Sequence, residues 1–340
     1  INYEGRMGRY AVMKKNMKSA LMKIAPLLAL IILGMVLAFM LPGKFLRASN
    51  LMNILKQAGI NCMISGGMLV VLITAGIDLS VGSNTVLGAC FIGVLMQKFG
   101  ITNPIVLMGA ALLICTFMGF INGTLLTRLN LPHPFVSTLG MKNVLLGLAL
   151  LITDSTPIGF MNKGVDSTLF LGSATIGDFP VSFIMVIIVY AIFHVFLTRT
   201  ALGRQIYCVG GNAEAARLSG IKSKNVLTFV YSLSGFMCGL AAIILVGRVT
   251  TANATAGTTY DTDAIAACII GGASFTGGKG TIWGTMMGAV LIATIRNGLN
   301  LFGTKNDIQY IVIGAVIILA VTIDVVRNQM EAKARRLAAK

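Results

Sequence analysis

A glycine-rich stretch, GGASFTGGKGT at residues 271–281, has the residue types of a phosphate-binding loop. Such a loop in nucleotide hydrolases requires the spacing G-x-x-x-x-G-K-[ST]. Aligned on Lys279, the chain has Ala273 in place of the first glycine and Gly280 in place of the hydroxyl residue that holds magnesium. We therefore predict that this chain binds neither ATP nor magnesium, and that energy for any transport comes from another chain or from a gradient.

The cysteines and histidines lack the spacing of metal or redox sites. The six cysteines have no C-x-x-C spacing and most lie in apolar runs, which is typical of small packing residues. His133 and His194 are far apart in the chain. No paired carboxylates or nucleophile arrangement stands out either. The sequence therefore predicts no metal, no cofactor and no enzyme activity.

The composition is that of a helical membrane protein. Hydrophobic residues make up 56% of the 340 residues and charged residues only 11%, against roughly 25% charged in soluble domains. The fold class predicted is all-α, a polytopic membrane protein with one integral domain. A net charge of +16 would suit nucleic acid, but the basic residues follow the membrane topology, so no nucleic-acid partner is predicted.

The apolar runs predict about ten transmembrane helices. The first is preceded by a basic segment, and most of the 27 lysines and arginines fall on the same side of the predicted membrane, which places both termini in the cytoplasm. The predicted spans cover residues 24–41, 52–75, 81–97, 104–126, 135–153, 180–197, 225–247, 263–273, 281–299 and 308–325.

These spans define the predicted domain organisation. Residues 1–23 form a basic cytoplasmic N-terminus, residues 24–326 the transmembrane domain, and residues 327–340 a basic cytoplasmic tail. Residues 198–224 form a cytoplasmic loop inside the domain.

One predicted span, residues 263–273, is short for a membrane crossing. It could be a half-helix or a re-entrant segment. We favour a full crossing, because otherwise the basic C-terminal cluster would emerge on the outer side.

The cytoplasmic loop contains the signals of a short, self-capped helix. Asn212 can cap its N-terminus, Glu214 lies in the first turn, Arg217 lies late, and Gly220 can adopt the left-handed conformation after its end. A membrane protein that is driven by a soluble motor protein would need such a rigid lever on its cytoplasmic side. The alternative is an ordinary connector between two spans.

Two further loops are candidates for gating. The first contains an acidic residue between two apolar runs and could be a broken-helix element near the motor or the gate. The alternative is a plain cap of the next helix at a tight turn. The second is the glycine-rich stretch described above. The candidate residues are Asp78, Ser80 and Gly82 in the first loop, and Gly277, Gly278 and Lys279 in the second.

Uncharged polar residues inside the spans are candidates for lining a solute pathway. The alternative role for each is hydrogen bonding between helices. The candidates are Asn61, Ser65, Asn84, Asn122, Ser137, Thr138 and Asn297.

Several motifs, in order along most of the chain, resemble the permease of the ribose/galactose-type bacterial sugar importers. The resemblance is carried by Gly76-Ile77-Asp78-Leu79-Ser80-Val81-Gly82, Pro134-Phe135, Thr138-Leu139-Gly140, Gly203-Arg204, Gly210-Gly211-Asn212, Ala215-Ala216, Ser219-Gly220-Ile221, Asp263-Ala264-Ile265-Ala266-Ala267, Gly271-Gly272 and Gly277-Gly278-Lys279-Gly280.

This resemblance implies a type II-like permease of an ATP-binding-cassette (ABC) importer, a homodimer in the bacterial cytoplasmic (inner) membrane. It implies a cytoplasmic ABC ATPase as partner, and a periplasmic or lipid-anchored sugar-binding protein that delivers ribose or a similar pentose or hexose. The loop 198–224 would couple to the ATPase. The implied coupling residues are Gly210, Gly211, Asn212, Glu214, Ala215, Ala216, Arg217 and Gly220.

Two alternatives remain open at the level of sequence. A permease of the same family could carry a non-sugar polyol signal. A gradient-driven secondary transporter could bind an ion at the discontinuous segments near Asp78 and Gly271.

Overall fold

The computed structural model describes residues 25–129, 131 and 133–338, so the predicted N-terminal segment 1–23 and the final residues 339 and 340 lie outside the described residues. Nearly all of the described regular structure is helical. The helices are α1 (Ala25–Met40), α2 (Ala48–Ile73), α3 (Val81–Phe99), α4 (Pro104–Arg128), α5 (Pro134–Ile152), α6 (Asp166–Ser173), α7 (Val181–Arg199), α8 (Ala201–Gly211), α9 (Ala213–Leu218), α10 (Ser223–Val249), α11 (Tyr260–Ile270), α12 (Ile282–Leu301) and α13 (Asn306–Ala338).

Each predicted span coincides with a helix, which confirms the all-α, polytopic architecture. Among the described residues, six helices are long and apolar enough to cross a membrane, and α1 is a shorter apolar helix. The number of crossings stays a prediction. The six are α2, α4, α5, α7, α10 and the part Asp307–Val326 of α13.

Helices α2 and α10 form the centre of the bundle. In the most apolar stretch of each helix, 83% of residues are buried in α2 and 72% in α10, against 22% in α4 and 17% in α13. An α-helix satisfies its backbone hydrogen bonds internally, so it can face lipid without leaving polar groups unpaired. The exposed apolar faces of α4 and α13 can therefore contact lipid.

Close contact between α4 and α10 depends on glycine. A Cβ atom on Gly119 would lie 2.4 Å from the carbonyl oxygen of Tyr231, and one on Gly235 would lie 2.3 Å from that of Cys115. Small residues allow such backbone contact in lipid, where apolar burial between helices gives little net gain. Gly147 on α5 has no such neighbour within 4 Å.

The two ends of the bundle are built differently. At one end, β1 (Ile158–Gly159) pairs antiparallel with β4 (Thr251–Ala252). A second two-stranded ribbon there joins β2 (Thr175–Ile176) to β3 (Phe179–Pro180). At the opposite end lie α8, α9 and the glycine-rich loop 271–280 that follows α11.

Helix α11 is a half-helix. Its 11 residues rise about 16 Å at 1.5 Å per residue, about half of the ~30 Å hydrocarbon layer. Helix α11 alone is therefore too short to cross the layer, and the full crossing that we favoured for residues 263–273 stays a prediction. Non-helical residues 253–259 lead from β4, at one end of the bundle, to the start of α11.

We expect Gly119→Ala to destabilise the protein by about 1–3 kcal/mol, because the added methyl group must push the α10 backbone away. Gly147→Ala is the matched control, since its methyl group meets open space. Thermal unfolding of both purified variants in one detergent checks this, and equal unfolding temperatures would show that α4 and α10 are not in backbone contact.

Candidate functional site

The N-terminus of α9 is capped as predicted. The Oδ1 atom of Asn212 accepts hydrogen bonds from the backbone N–H groups of Glu214 (3.1 Å) and Ala215 (3.0 Å). These are two of the amide groups that a helix start leaves without an internal partner. The cap therefore fixes the direction in which α9 leaves α8.

The C-terminus of α9 is closed by a Schellman motif. Gly220 has φ +83°, the left-handed conformation that glycine adopts without strain. Its N–H donates to the carbonyl of Arg217, and the N–H of Ile221 donates to the carbonyl of Ala216, both at 3.0 Å. The prediction of a self-capped helix is confirmed.

Helix α9 projects from the bundle. Of residues 211–220, only Ala216 is buried. Arg217 and Glu214 form an exposed ion pair with 2.6 Å between Nη2 and Oε1, and the hydrogen bond from Arg217 lowers the pKa of Glu214. Glu214 therefore stays charged at neutral pH. This surface of small side chains, one ion pair and the exposed Leu218 is free to contact another protein.

Gly210 joins α8 to the end of α2. A Cβ atom on Gly210 would lie 1.6 Å from the carbonyl oxygen of Ile73. The same carbonyl accepts a hydrogen bond of 2.8 Å from the N–H of Gly278, and the Tyr207 hydroxyl donates to the carbonyl of Gly280 at 2.8 Å. We call this contact of α8, α2 and loop 271–280 the α8 junction.

The other predicted residues of this region lie around the α8 junction. Gly277 has φ +78° and packs against Ala75, so the two predicted gating loops meet here. Lys279 is half-buried, and its carbonyl accepts a hydrogen bond from the N–H of Ser274. Gly211 has no neighbour within 4 Å of a Cβ position.

Asp78 lies buried between helices and does not cap α3. Helix α3 begins at Val81, so the carboxylate is too far upstream to reach the first-turn amides. Its Oδ1 atom instead accepts from the N–H (3.0 Å) and hydroxyl (2.5 Å) of Ser80 and from the Asn122 amide (3.4 Å). Asp78 thereby links the α2–α3 loop to α4.

Gly82, the third residue predicted in this loop, marks a close approach. A Cβ atom there would lie 2.4 Å from the carbonyl of Gly257. The start of α3 therefore packs directly on the non-helical segment that precedes α11.

Most predicted pathway residues form hydrogen bonds within the bundle. Asn84 donates to the carbonyl of Cys115, and Thr138 donates to that of Ile77. These contacts fit the alternative role of joining helices. The remaining placements are Asn297 bonded to Asn50, Ser137 bonded to Pro134, Asn122 on Asp78 and Ser80, and Ser65 buried with no hydrogen-bond partner for its hydroxyl among the described residues.

Two ion pairs with buried carboxylates hold α11, and neither was predicted from the sequence. Lys142 Nζ lies 2.6 Å from Asp261 Oδ2. Arg296 contacts both oxygens of Asp263, with Nε at 2.9 Å and Nη2 at 2.8 Å. The sequence did contain a signal for these ion pairs. The carboxylates Asp261 and Asp263 stand at the start of a short apolar run, and the cations Lys142 and Arg296 stand inside predicted spans.

A polar cavity lies beside the second ion pair. Its volume is about 140 Å³. Arg248, which falls one residue after a predicted span, lies within α10 because this helix continues to Val249. The lining residues are Gln57, Ile60 and Asn61 of α2, Arg248 of α10, Thr259, Tyr260 and Asp263 at the start of α11, and Arg296 of α12.

The donor and acceptor groups of this cavity suit a hydroxylated organic molecule. Amide, carboxylate and guanidinium groups converge on a small volume, as in sites that orient polar ligands. Within the described part of the chain, no group of three or more His, Cys, Asp or Glu residues could hold a metal ion.

Comparison with known proteins gives a family and close relatives. A family model described as "Branched-chain amino acid transport system / permease component" matches residues 50–321. The ribose import permease proteins of Bacillus subtilis (strain 168) and Escherichia coli (strain K12) are 38% identical over 302 residues and 39% identical over 311 residues. These alignments cover 89% and 90% of this chain, and 92% and 95% of the relatives.

The fructose import permease protein of Rhizobium meliloti is 36% identical over 305 residues, covering 88% of this chain and 84% of the relative. No solved structure matches the chain.

We expect Arg296→Met to destabilise the protein by about 3–5 kcal/mol, because it leaves the Asp263 carboxylate buried without its partner. Lys98→Met is the control: it breaks the pair of Lys98 with Asp154, whose side chains are 48% and 74% exposed, and should cost no more than about 1 kcal/mol. Thermal unfolding of the purified variants compares them. A similar effect of both substitutions would contradict the buried pair.

We expect Gly210→Ala to lower the unfolding temperature, because its methyl group overlaps the Ile73 carbonyl. Gly211→Ala changes the neighbouring glycine, which has open space around it, and should leave the unfolding temperature unchanged. If the two variants unfold alike, the α8 junction is not packed as described.

Proposed function

This chain belongs to the family of the branched-chain amino acid transport system permease component, and from this membership we propose that it is the transmembrane subunit of an ATP-driven sugar importer. It moves a monosaccharide, ribose or a similar pentose or hexose, from a binding protein to the cytoplasm. The cargo follows from the relatives, which are named as ribose and fructose import permeases. The observation that carries the ATP-driven mechanism is the projecting, self-capped helix α9.

The proposed partner on the cytoplasmic side is an ABC ATPase, which holds ATP and Mg²⁺. Residues 211–220 enter a cleft of this partner. Their exposure supports the proposal, because only Ala216 among them is buried. Small side chains at Ala213 and Ala215 allow close approach of the partner, and the Glu214–Arg217 pair supplies charge of both signs.

The proposed mechanism is alternating access in a dimer of two such permeases. ATP-driven closure of the ATPase pair moves α9, and α9 moves α8 because a single residue, Asn212, separates the two helices. The α8 junction passes this motion to α2 and to loop 271–280, and hence to α11. Each state must be favoured by its own contacts with ATPase or cargo.

The proposed sugar-binding protein contacts the opposite end of the bundle, around β1 and β4. A surface groove of about 600 Å³ lies there, lined by residues that include Lys163, Thr250 and Thr251. In this arrangement the protein lies in the bacterial inner membrane with both termini in the cytoplasm. We also propose that Asp78 and Ser80, which join the start of α3 to Asn122 of α4 inside the moving bundle, take part in gating.

We expect the double variant Glu214→Ala/Arg217→Ala to reduce sugar uptake about tenfold or more, because it removes both charged groups of the proposed ATPase contact (tenfold corresponds to about 1.4 kcal/mol). ATP hydrolysis should no longer respond to loaded binding protein. The assay is uptake and ATP hydrolysis in proteoliposomes that contain permease, ATPase and binding protein.

Arg199→Ala is the control for this experiment, since Arg199 is an exposed cation at the end of α7, outside residues 211–220. It should transport normally. Normal uptake by the double variant would contradict the proposed contact. Sugar accumulation by the permease alone, without ATPase, would contradict the proposed function.

A further inference from the structure

The cavity between α2, α10, α11 and α12 contains polar groups whose hydrogen bonds are not satisfied by the bundle. Asn61 is 7% exposed, and its Oδ1 atom has no hydrogen-bond partner among the described residues. A buried acceptor without a partner costs about 1–3 kcal/mol. Asn61 also lines the cavity, so rotation of its amide can bring this oxygen within reach of a donor there.

The arginines of the cavity retain unused donors. A guanidinium group has five N–H donors, and Arg296 uses Nε and Nη2 on Asp263. Arg248, which is half-buried on the opposite wall, forms no ion pair with a described residue. Both arginines can therefore donate to an incoming oxygen while the Asp263 carboxylate accepts from a hydroxyl group.

The cavity has the dimensions of one small polar molecule. Its volume of about 140 Å³ far exceeds the ~10–15 Å³ that one water molecule requires. It is on the scale of a single monosaccharide ring. The side chain of Tyr260 supplies an aromatic surface on one wall.

The cavity lies at mid-depth in the bundle. Asn61 is twelve residues before Ile73 in α2, about 18 Å along the helix at 1.5 Å per residue. Tyr260 begins the half-helix α11 at the same depth, and the other end of α11 leads into the α8 junction. The lining of the cavity is thus connected to the segment that α9 would move.

We propose that this cavity is a monosaccharide-binding site inside the permease, in which Asn61, Gln57, Arg248, Asp263 and Arg296 hold the hydroxyl groups of the sugar during transit. The proposal rests on the proposed function and adds the residues that bind the cargo. The wall contains both donors and acceptors, which suits a neutral polyhydroxyl ligand. Motion of α11 changes the position of Asp263 and so releases the sugar.

The test uses the complete transporter in proteoliposomes, reconstituted with the proposed ATPase and sugar-binding partners, and radiolabelled ribose. Asn61→Leu and Gln57→Leu each replace an amide by an apolar group of similar size. We expect each to reduce ribose uptake per ATP hydrolysed about tenfold, the effect of about 1.4 kcal/mol. Stimulation of ATP hydrolysis by ribose-loaded binding protein should persist, because α9 and β1 are unchanged.

Ser182→Ala is the matched control. Ser182 is 1% exposed, its hydroxyl has no partner among the described residues, and it packs beside Gly59 of α2, yet it does not line the cavity. It should transport as the unchanged protein does.

Three results would overturn the inference, and they are distinguishable. Failure of the unchanged transporter to accumulate ribose would remove the proposed cargo and with it this site. Normal uptake per ATP by both leucine variants would overturn the site and leave the proposed function standing. Loss of uptake in Asn61→Leu alone, with a lowered unfolding temperature and normal Gln57→Leu, would show that Asn61 has only a structural role.

Discussion

Two carboxylates of α11 neutralise two cations on neighbouring helices, and the position of this half-helix depends on both pairs. A charged side chain at the centre of a bilayer costs roughly 2.5–3.5 kcal/mol on insertion scales, so each of these four groups needs its partner. Lys142 fixes α11 against α5, and Arg296 fixes it against α12. The polar cavity exists because these pairs hold the start of α11 at mid-depth.

The same helix brings together two regions that are far apart on the molecule. One end of α11 lines the cavity, while its other end continues into the loop that contacts α8 through Gly278 and Tyr207. Because glycine has no side chain, backbone atoms of α8 and of the loop are in direct contact. The two segments therefore have little room to move relative to each other. A displacement of α8 therefore cannot be absorbed by a flexible side chain.

Local features of this protein could be predicted from its sequence, and long-range ones could not. The helices and the caps of α9 depend on residues a few positions apart, so apolar runs and the types of Asn212 and Gly220 were sufficient. The pair of Lys142 with Asp261 joins residues 119 positions apart, and a single sequence does not show which helix faces meet. For the same reason, the sequence could not show that Asn61, among the candidate pathway residues, lines the cavity. It also suggested that Asp78 could cap the next helix, whereas Asp78 contacts α4.

Both ends of α9 are closed by residues of its own segment, Asn212 before it and Gly220 after it. Its shape is thus independent of the lipid-embedded helices, to which it is attached through Ala216 and α8. Evolution can alter the outward side chains of this nine-residue segment, Asn212 to Gly220, without disturbing the membrane core. In the proposed function, such substitutions would change only the surface offered to the ATPase, and the residues proposed to hold the sugar would stay the same.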